Sequence, residues 1–222
     1  MAQRPQAVLF DIDGTLVDSN YLHVDAWSRA FAEVGHPVPD WRIHRCIGMD
    51  SAKLLEELLG DQLDRYADDA KERHTTHYER DAERLRSFDQ AQELLRAIAG
   101  RGLKVVLATS APPSEFEMLQ QVLQVDDAIA EYTTAGDVST AKPAPDVVQV
   151  ALEKAGVGPD AAVMIGDTVW DVEAAGRAGV RAIGVQSGGV SAAELRDAGA
   201  IAVYDDVAAL LRELDESPLF TS

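Results

Sequence analysis

Two aspartates separated by one residue, Asp11 and Asp13, directly follow a short apolar run near the start of the chain. In an extended backbone both side chains point to the same face, and Gly14 then allows a sharp turn. Like charges this close repel each other, and burial raises the free energy of keeping both carboxylates ionised. Either one carboxyl is protonated or a divalent cation with oxygen ligands, most simply magnesium, lies between the two. The pair therefore predicts a metal-assisted site or, in the simpler interpretation, a polar turn at a strand end.

Three further polar groups each lie at a position that suits a site. Thr109 and Ser110 follow an apolar run, and hydroxyl and amide donors there can bind a phosphoryl oxygen. Lys142 stands in a loop that two prolines stiffen, so its ammonium can be held against negative charge. Asp167 and Asp171 follow another apolar run, and helical spacing of four brings both to one side. We expect Asp167 to bind the metal and Asp171 to hold it through water or to orient the lysine.

Each of these groups also has an ordinary structural interpretation. A hydroxyl at a strand end is often a turn residue, and most lysines are simply solvated. Asp167 suits a helix N-cap. Their combination in one chain is what favours a shared site.

The pattern that positions these residues is an alternation of short apolar runs and helical segments. It predicts an α/β fold, a Rossmann-like doubly wound parallel sheet with helices on both faces. Capping-box pairs indicate helix starts at 89/92, 114/117 and 191/194. The strands are expected at 8–10, 104–108, 131–134, 162–166, 181–185 and 201–204.

Residues 19–88 differ in character, since they are rich in helix formers and charges and poor in strand-like runs. We therefore predict an inserted α-helical domain over 19–88 and an α/β core formed by 1–18 and 89–222. Parallel strands end at a common edge, so the polar groups after them are expected to meet there.

Composition limits the possible partners. The 222 residues include 46% hydrophobic ones, enough for a substantial core, and carry a net charge of −18. That charge argues against binding of nucleic acid or anionic membranes. Cys46 is the only cysteine, which excludes an internal disulfide and predicts a buried thiol. With no signal-peptide or membrane-spanning pattern, we expect a cytoplasmic protein.

The four polar groups resemble, in order and strand position, motifs I to IV of the haloacid dehalogenase-like superfamily. The resemblance implies phosphoryl transfer through an aspartyl phosphate, with Asp11 as nucleophile and Asp13 as general acid and base. It implies a motif II hydroxyl at Thr109 and a motif III cation at Lys142. It also implies magnesium held by Asp11, the backbone carbonyl of Asp13 and Asp167, with Asp171 as the second motif IV acid.

The insertion resembles the C1 cap of the β-phosphoglucomutase-like and phosphoglycolate phosphatase-like subfamily, which implies a small phosphorylated metabolite as substrate and a monomer. His23 falls in the pattern H-x-x-A-W that follows motif I there, which implies a substrate-binding residue facing the site from the hinge; a surface or core histidine is the alternative. Ser51 and Lys53 fall in the segment similar to the substrate-specificity loop. Phosphosugar mutases carry an arginine where Ser51 stands, which favours a phosphatase.

Three alternatives remain beside the phosphatase. A phosphosugar mutase is the first, with Lys53 in place of the missing arginine. A haloacid dehalogenase is disfavoured because that branch lacks the second motif I aspartate, here Asp13. A non-catalytic binding module is disfavoured because every motif residue is present.

Overall fold

The computed structural model describes residues 4–137 and 142–221. The chain divides into two compact units. The α/β unit consists of Met1–Asp18 and Arg86–Ser222, and the helical unit is Ser19–Leu85. The division falls three residues before the predicted boundary, because residues 86–88 pair with the segment that follows the first strand.

A six-stranded parallel sheet forms the centre of the α/β unit, in the order β3-β2-β1-β4-β5-β6. The doubly wound α/β fold that the sequence predicts is confirmed. The strands begin close to the predicted runs, although β3 starts earlier and β6 later than expected. They are β1 Ala7–Phe10, β2 Lys104–Ala108, β3 Ile129–Thr133, β4 Ala162–Gly166, β5 Arg181–Val185 and β6 Ala202–Tyr204.

Helices flank this sheet and bury its apolar side chains. Strands β1 and β4 are fully buried. Their continuous apolar runs are typical of strands in a sheet that helices cover on both faces. One core cluster joins Leu9, Val106 and Met164 to side chains of three of the helices. The helices of the unit are α5 Ala91–Gly100, α6 Pro113–Leu123, α7 Asp146–Ala155, α8 Val169–Arg177, α9 Ala192–Asp197 and α10 Val207–Arg212.

Two of the predicted capping boxes are wrong. Helix α5 begins after Gln90, which adopts a left-handed conformation with φ of 59° and makes no side-chain cap. Helix α6 begins at Pro113, whose fixed φ suits the first helical position, so Ser114 already lies inside the first turn. The third box is confirmed, because Ser191 and Glu194 cap α9 reciprocally.

The helical unit has its own core. Its helices are α1 Asn20–Glu33, α2 Asp40–Cys46, α3 Ser51–Leu59 and α4 Leu63–Arg80. The core of this unit contains Trp27, Phe31 and Ile43 together with the leucines of α3. Gly60 follows the last residue of α3 and ends the helix, as the sequence predicts. Cys46 is buried, as expected for a structural thiol.

The two points where the α/β unit passes into the helical segment lie side by side. Val17 and Ser87 form an isolated antiparallel bridge. Asp18 N donates to Arg86 O at 2.8 Å, and Phe88 N donates to Leu16 O at 2.9 Å. The insertion thus leaves and rejoins the α/β unit at one place. Among the residues that the structure describes, every helix is too short or too polar to cross a lipid bilayer.

Candidate active site

The strand register brings the predicted site residues to one edge of the sheet. Phe10 pairs with Leu107 on one side and with Ile165 on the other. The Asp11 amide extends the ladder by donating to Ile165 O at 2.9 Å. Asp11 therefore follows β1 at the level where β2 and β4 also end. The strand order reverses between these neighbours, which is where ligands bind in open α/β sheets.

Lys142 occupies the centre of this edge with its ammonium between two acids. Its Nζ lies 2.5 Å from Asp11 Oδ1 and 2.7 Å from Asp171 Oδ1, and its side chain is 2% exposed. Burial lowers the pKa of Lys142, but the charges of Asp11 and Asp171 outweigh burial and hold that pKa above the usual range. The lysine is therefore a fixed positive charge beside the first aspartate.

Asp171 is held by the start of its own helix. Its Oδ2 accepts hydrogen bonds from Thr168 Oγ1 at 2.6 Å and from Thr168 N at 3.1 Å, in the capping box of α8. The other oxygen faces Lys142. Thr168, and not Asp167, is the N-cap, so the simpler interpretation of Asp167 as a cap is wrong. Of the two roles predicted for Asp171, this geometry favours orientation of the lysine.

Gly166, the last residue of β4, makes room for that arrangement. A Cβ at Gly166 would lie 2.4 Å from Asp171 Cβ and 2.6 Å from its Cγ. No real Cβ tolerates such an approach, so the carboxylate reaches Lys142 only because residue 166 has no side chain.

We expect Gly166→Ala to displace Asp171 and, through it, Lys142. The overpacking should lower the free energy of unfolding by about 1–3 kcal/mol. A misplacement near 1 Å can lower kcat by about 10²-fold. The matched control is Gly176→Ala in α8, where an added Cβ meets nothing within 4 Å. Urea unfolding and steady-state kinetics on both variants test this, and normal stability and kcat in Gly166→Ala would contradict it.

Three buried carboxylates at this edge form a group that suits a metal ion. Asp11, Asp167 and Asp171 each offer an oxygen, and these atoms lie within 4.8 Å of one another. Burial, opposed by Lys142 and assisted by the charges of Asp171 and Asp13, raises the pKa of Asp11 to about 7. The donors are all carboxylate oxygens, the hard ligands that Mg²⁺ prefers. The site therefore fits a divalent cation on both charge and ligand chemistry.

Asp13 lies outside that carboxylate group. It is half-buried, forms an isolated bridge with Val17, and contributes to the raised pKa of Asp11. The carboxylates that the structure gathers are therefore those of Asp11, Asp167 and Asp171, and the side chain of Asp13 is not among them. Asp13 remains near Asp11 with its side chain partly accessible, as a proton donor requires.

Thr109 is buried at the end of β2, and its hydroxyl is oriented by the backbone. Ala111 N donates to Thr109 Oγ1 at 3.0 Å, and Thr133 Oγ1 donates to Thr109 O at 2.8 Å. Because Oγ1 accepts from the backbone, its own proton can be directed at an oxygen of a ligand. Ser110 follows and is half-buried.

The other predicted residues belong to the helical unit. His23 is buried, its Nδ1 lies 3.1 Å from His74 Nε2, and its ring stacks on Tyr78. Ser51 is the first residue of α3. Lys53 is exposed and pairs with Glu56 at 3.1 Å, as a helix-surface lysine would.

Sequence reasoning missed Thr15, Gly166 and Thr168. The Thr-x-x-Asp spacing at 168–171 is a capping-box signal that was readable before the structure. Gly166 and Thr15 carried no such signal, because the contact of Gly166 with Asp171 and that of Thr15 with Asp167 appear only in the folded chain.

The chain is similar to a known protein family and to proteins of named activity. The family model described as haloacid dehalogenase-like hydrolase matches residues 8–185. A phosphoglycolate phosphatase of Rhodospirillum rubrum is 32% identical, over 93% of this chain and 89% of that protein. A phosphorylated carbohydrates phosphatase of Thermotoga maritima is 29% identical, over 94% and 99%.

A solved structure of a hydrolase from Pseudomonas syringae superimposes with a TM-score of 0.89 at 37% identity, covering 95% of this chain and 98% of that one. The family match extends from β1 to β5 and includes every acid of the site as well as Lys142. This protein therefore belongs to the haloacid dehalogenase-like hydrolase family.

Proposed function

We propose that this protein is a magnesium-dependent phosphatase that hydrolyses a small phosphorylated metabolite through an aspartyl phosphate on Asp11. The observation that carries the proposal is the buried contact between Lys142 and Asp11, with Asp167 and Asp171 beside it. A lysine held against one oxygen of a carboxylate positions that group as a nucleophile. The relatives named as phosphatases support the same chemistry.

In the first step, an oxygen of Asp11 attacks phosphorus while the bond to the ester oxygen breaks. Asp13 gives its proton to the leaving oxygen, which departs as an alcohol. Lys142 and the Thr109 hydroxyl stabilise the charge on the phosphoryl oxygens, with Ser110 beside them. In the second step, Asp13 takes a proton from water, the water oxygen attacks phosphorus, and Asp11 is released with inorganic phosphate.

Magnesium would be held by the carboxylates of Asp11 and Asp167 and by the Asp13 carbonyl. When bound, it supplies positive charge that neutralises a phosphate dianion in a site otherwise rich in acids. Asp171 is assigned to Lys142, because both of its oxygens are engaged by Lys142 and Thr168.

The relatives and the insertion both support the proposed substrate class. The two curated relatives are named for phosphoglycolate and for phosphorylated carbohydrates. We assign the helical unit as a cap that excludes bulk water and large substrates, with His23 as a hinge residue and Ser51 and Lys53 in its specificity loop. We also propose that the enzyme is monomeric and cytoplasmic and that it binds no nucleic acid. The net charge of −18 supports the last of these statements.

The test is phosphate release from a panel of small phosphate esters, including phosphoglycolate and hexose phosphates, in Mg²⁺ or in excess chelator. Release is expected only with Mg²⁺, because without a cation the acids repel the substrate. Substantial release in chelator would contradict the metal assignment. No release from any ester would contradict the phosphatase and direct the assay to a mutase, with a sugar bisphosphate as activator.

A further inference from the structure

Thr15 is a buried hydroxyl that touches the site but belongs to none of the four polar groups. It is fully buried in the turn after β1, where its amide donates to Ile12 O at 3.2 Å. A buried hydroxyl requires a hydrogen-bond partner. The identity of that partner therefore indicates what the side chain is for.

Its partners are two acids from different strands. Thr15 Oγ1 lies 2.9 Å from Asp167 Oδ1 and 3.4 Å from Asp11 Oδ2. A hydroxyl has one proton, so the closer oxygen, on Asp167, receives it. A hydrogen bond to an ionised carboxylate is stronger than a neutral one. Thr15 therefore links the acid after β4 to the nucleophile after β1.

The contacts divide the oxygens of Asp11 between two neighbours. Lys142 binds Oδ1, while Oδ2 faces the Thr15 hydroxyl. Lys142 holds the Asp11 carboxylate through Oδ1, whereas the hydrogen bond from Thr15 restrains the Asp167 carboxylate through its own Oδ1. Without the hydroxyl, Asp167 Oδ1 would lose this donor and the carboxylate would be freer to rotate.

We propose that Thr15 is a positioning residue that holds the Asp167 carboxylate beside Asp11 for a divalent cation, an inference that rests on the proposed function. Partners of ligating groups commonly set metal affinity because they restrict the ligands before the metal arrives. Thr15 itself touches neither the reacting phosphorus nor the leaving group in this assignment.

The experiment measures Mg²⁺ affinity by isothermal titration calorimetry on the full-length protein. Thr15→Val keeps the shape and removes the hydroxyl, so its affinity should fall by about 10- to 100-fold. Thr15→Ser, which retains the hydroxyl, should restore binding to near the wild-type value. The matched control is Thr134→Val, which removes an exposed hydroxyl that donates to Asp137 at 3.2 Å.

Thermal melts without metal show whether each variant is folded. If Thr15→Val does not fold, Thr15→Cys takes its place, because a thiol is only a weak donor. Wild-type affinity in a folded Thr15→Val, or equal losses in Thr15→Val and Thr15→Ser, would overturn the inference. A wild type that binds Mg²⁺ with the expected Thr15 effect but hydrolyses no ester would instead overturn only the proposed function.

Discussion

Asp11→Asn is expected to lower the rate of phosphate release by at least about 10⁴-fold, the scale of nucleophile loss in other enzymes. The carboxamide has nearly the same shape, but it is a far poorer nucleophile and cannot offset the charge of Lys142. Steady-state phosphate release with the best ester of the panel measures the effect. If the variant still binds the ester, the dissociation constant of the ester should be normal although no product forms.

Two controls keep this result interpretable. Asp18→Asn changes an exposed aspartate of the same segment and should leave turnover unchanged. Intact-mass measurement after mixing with substrate should detect no phosphorylated Asp11→Asn protein. Turnover in this variant within tenfold of the wild type would show that another group attacks phosphorus.

Lys142→Met should have the second large effect, on both stability and catalysis. Methionine has a similar length but no charge, so Asp11 and Asp171 would remain buried without their shared cation. Breaking a buried ion pair from one side typically costs about 3–5 kcal/mol of unfolding free energy. The rate of phosphate release should also fall, because the positive charge beside Asp11 is lost.

The stability loss in Lys142→Met should depend on pH. Burial already raises the pKa of Asp11 to about 7, and removal of the opposing lysine raises it further. An acid whose folded pKa exceeds its unfolded value binds more protons when folded, so stability decreases as pH rises. The loss should therefore be larger at pH 8 than at pH 5, measured by urea unfolding at both values.

Lys154→Met is the matched control for that variant. Lys154 pairs with Asp137 at 2.9 Å, with both side chains 31% exposed, and such pairs contribute less than about 1 kcal/mol. Equal stability losses in the two variants, or a loss in Lys142→Met that does not change with pH, would contradict the assignment of Lys142 as a buried, paired charge.

The sequence predicted the sheet well because its strands are continuous apolar runs. The run of β4, bounded by polar residues, had to be a buried strand, and Asp167 had to follow it. The sequence predicted that Asp11, Lys142 and Asp171 lie near one another, but it did not predict their contacts. Which oxygen faces which group depends on the register between β1 and β4, and a linear pattern does not contain that information.

The errors have a common physical cause. Side chains at 89/92 and 114/117 satisfy a capping pattern, yet a left-handed Gln90 and a helix-starting Pro113 decide where those helices begin. Thr15 and Gly166 were missed for a related reason. Thr15 contacts Asp167 across the sheet edge, and Gly166 makes room for Asp171 of the next helix. Neither residue type is unusual at its place in the chain.

The bridge between Val17 and Ser87 affects how freely the length of the insertion can vary in evolution. Since the segments beside Asp18 and Arg86 are already paired, the α/β unit meets the insertion as it would meet a hairpin loop. The entropic cost of closing a loop grows only by about 0.6 kcal/mol for each doubling of its length. Insertions of other sizes can therefore be accommodated at this junction while the residues at the sheet edge keep their places.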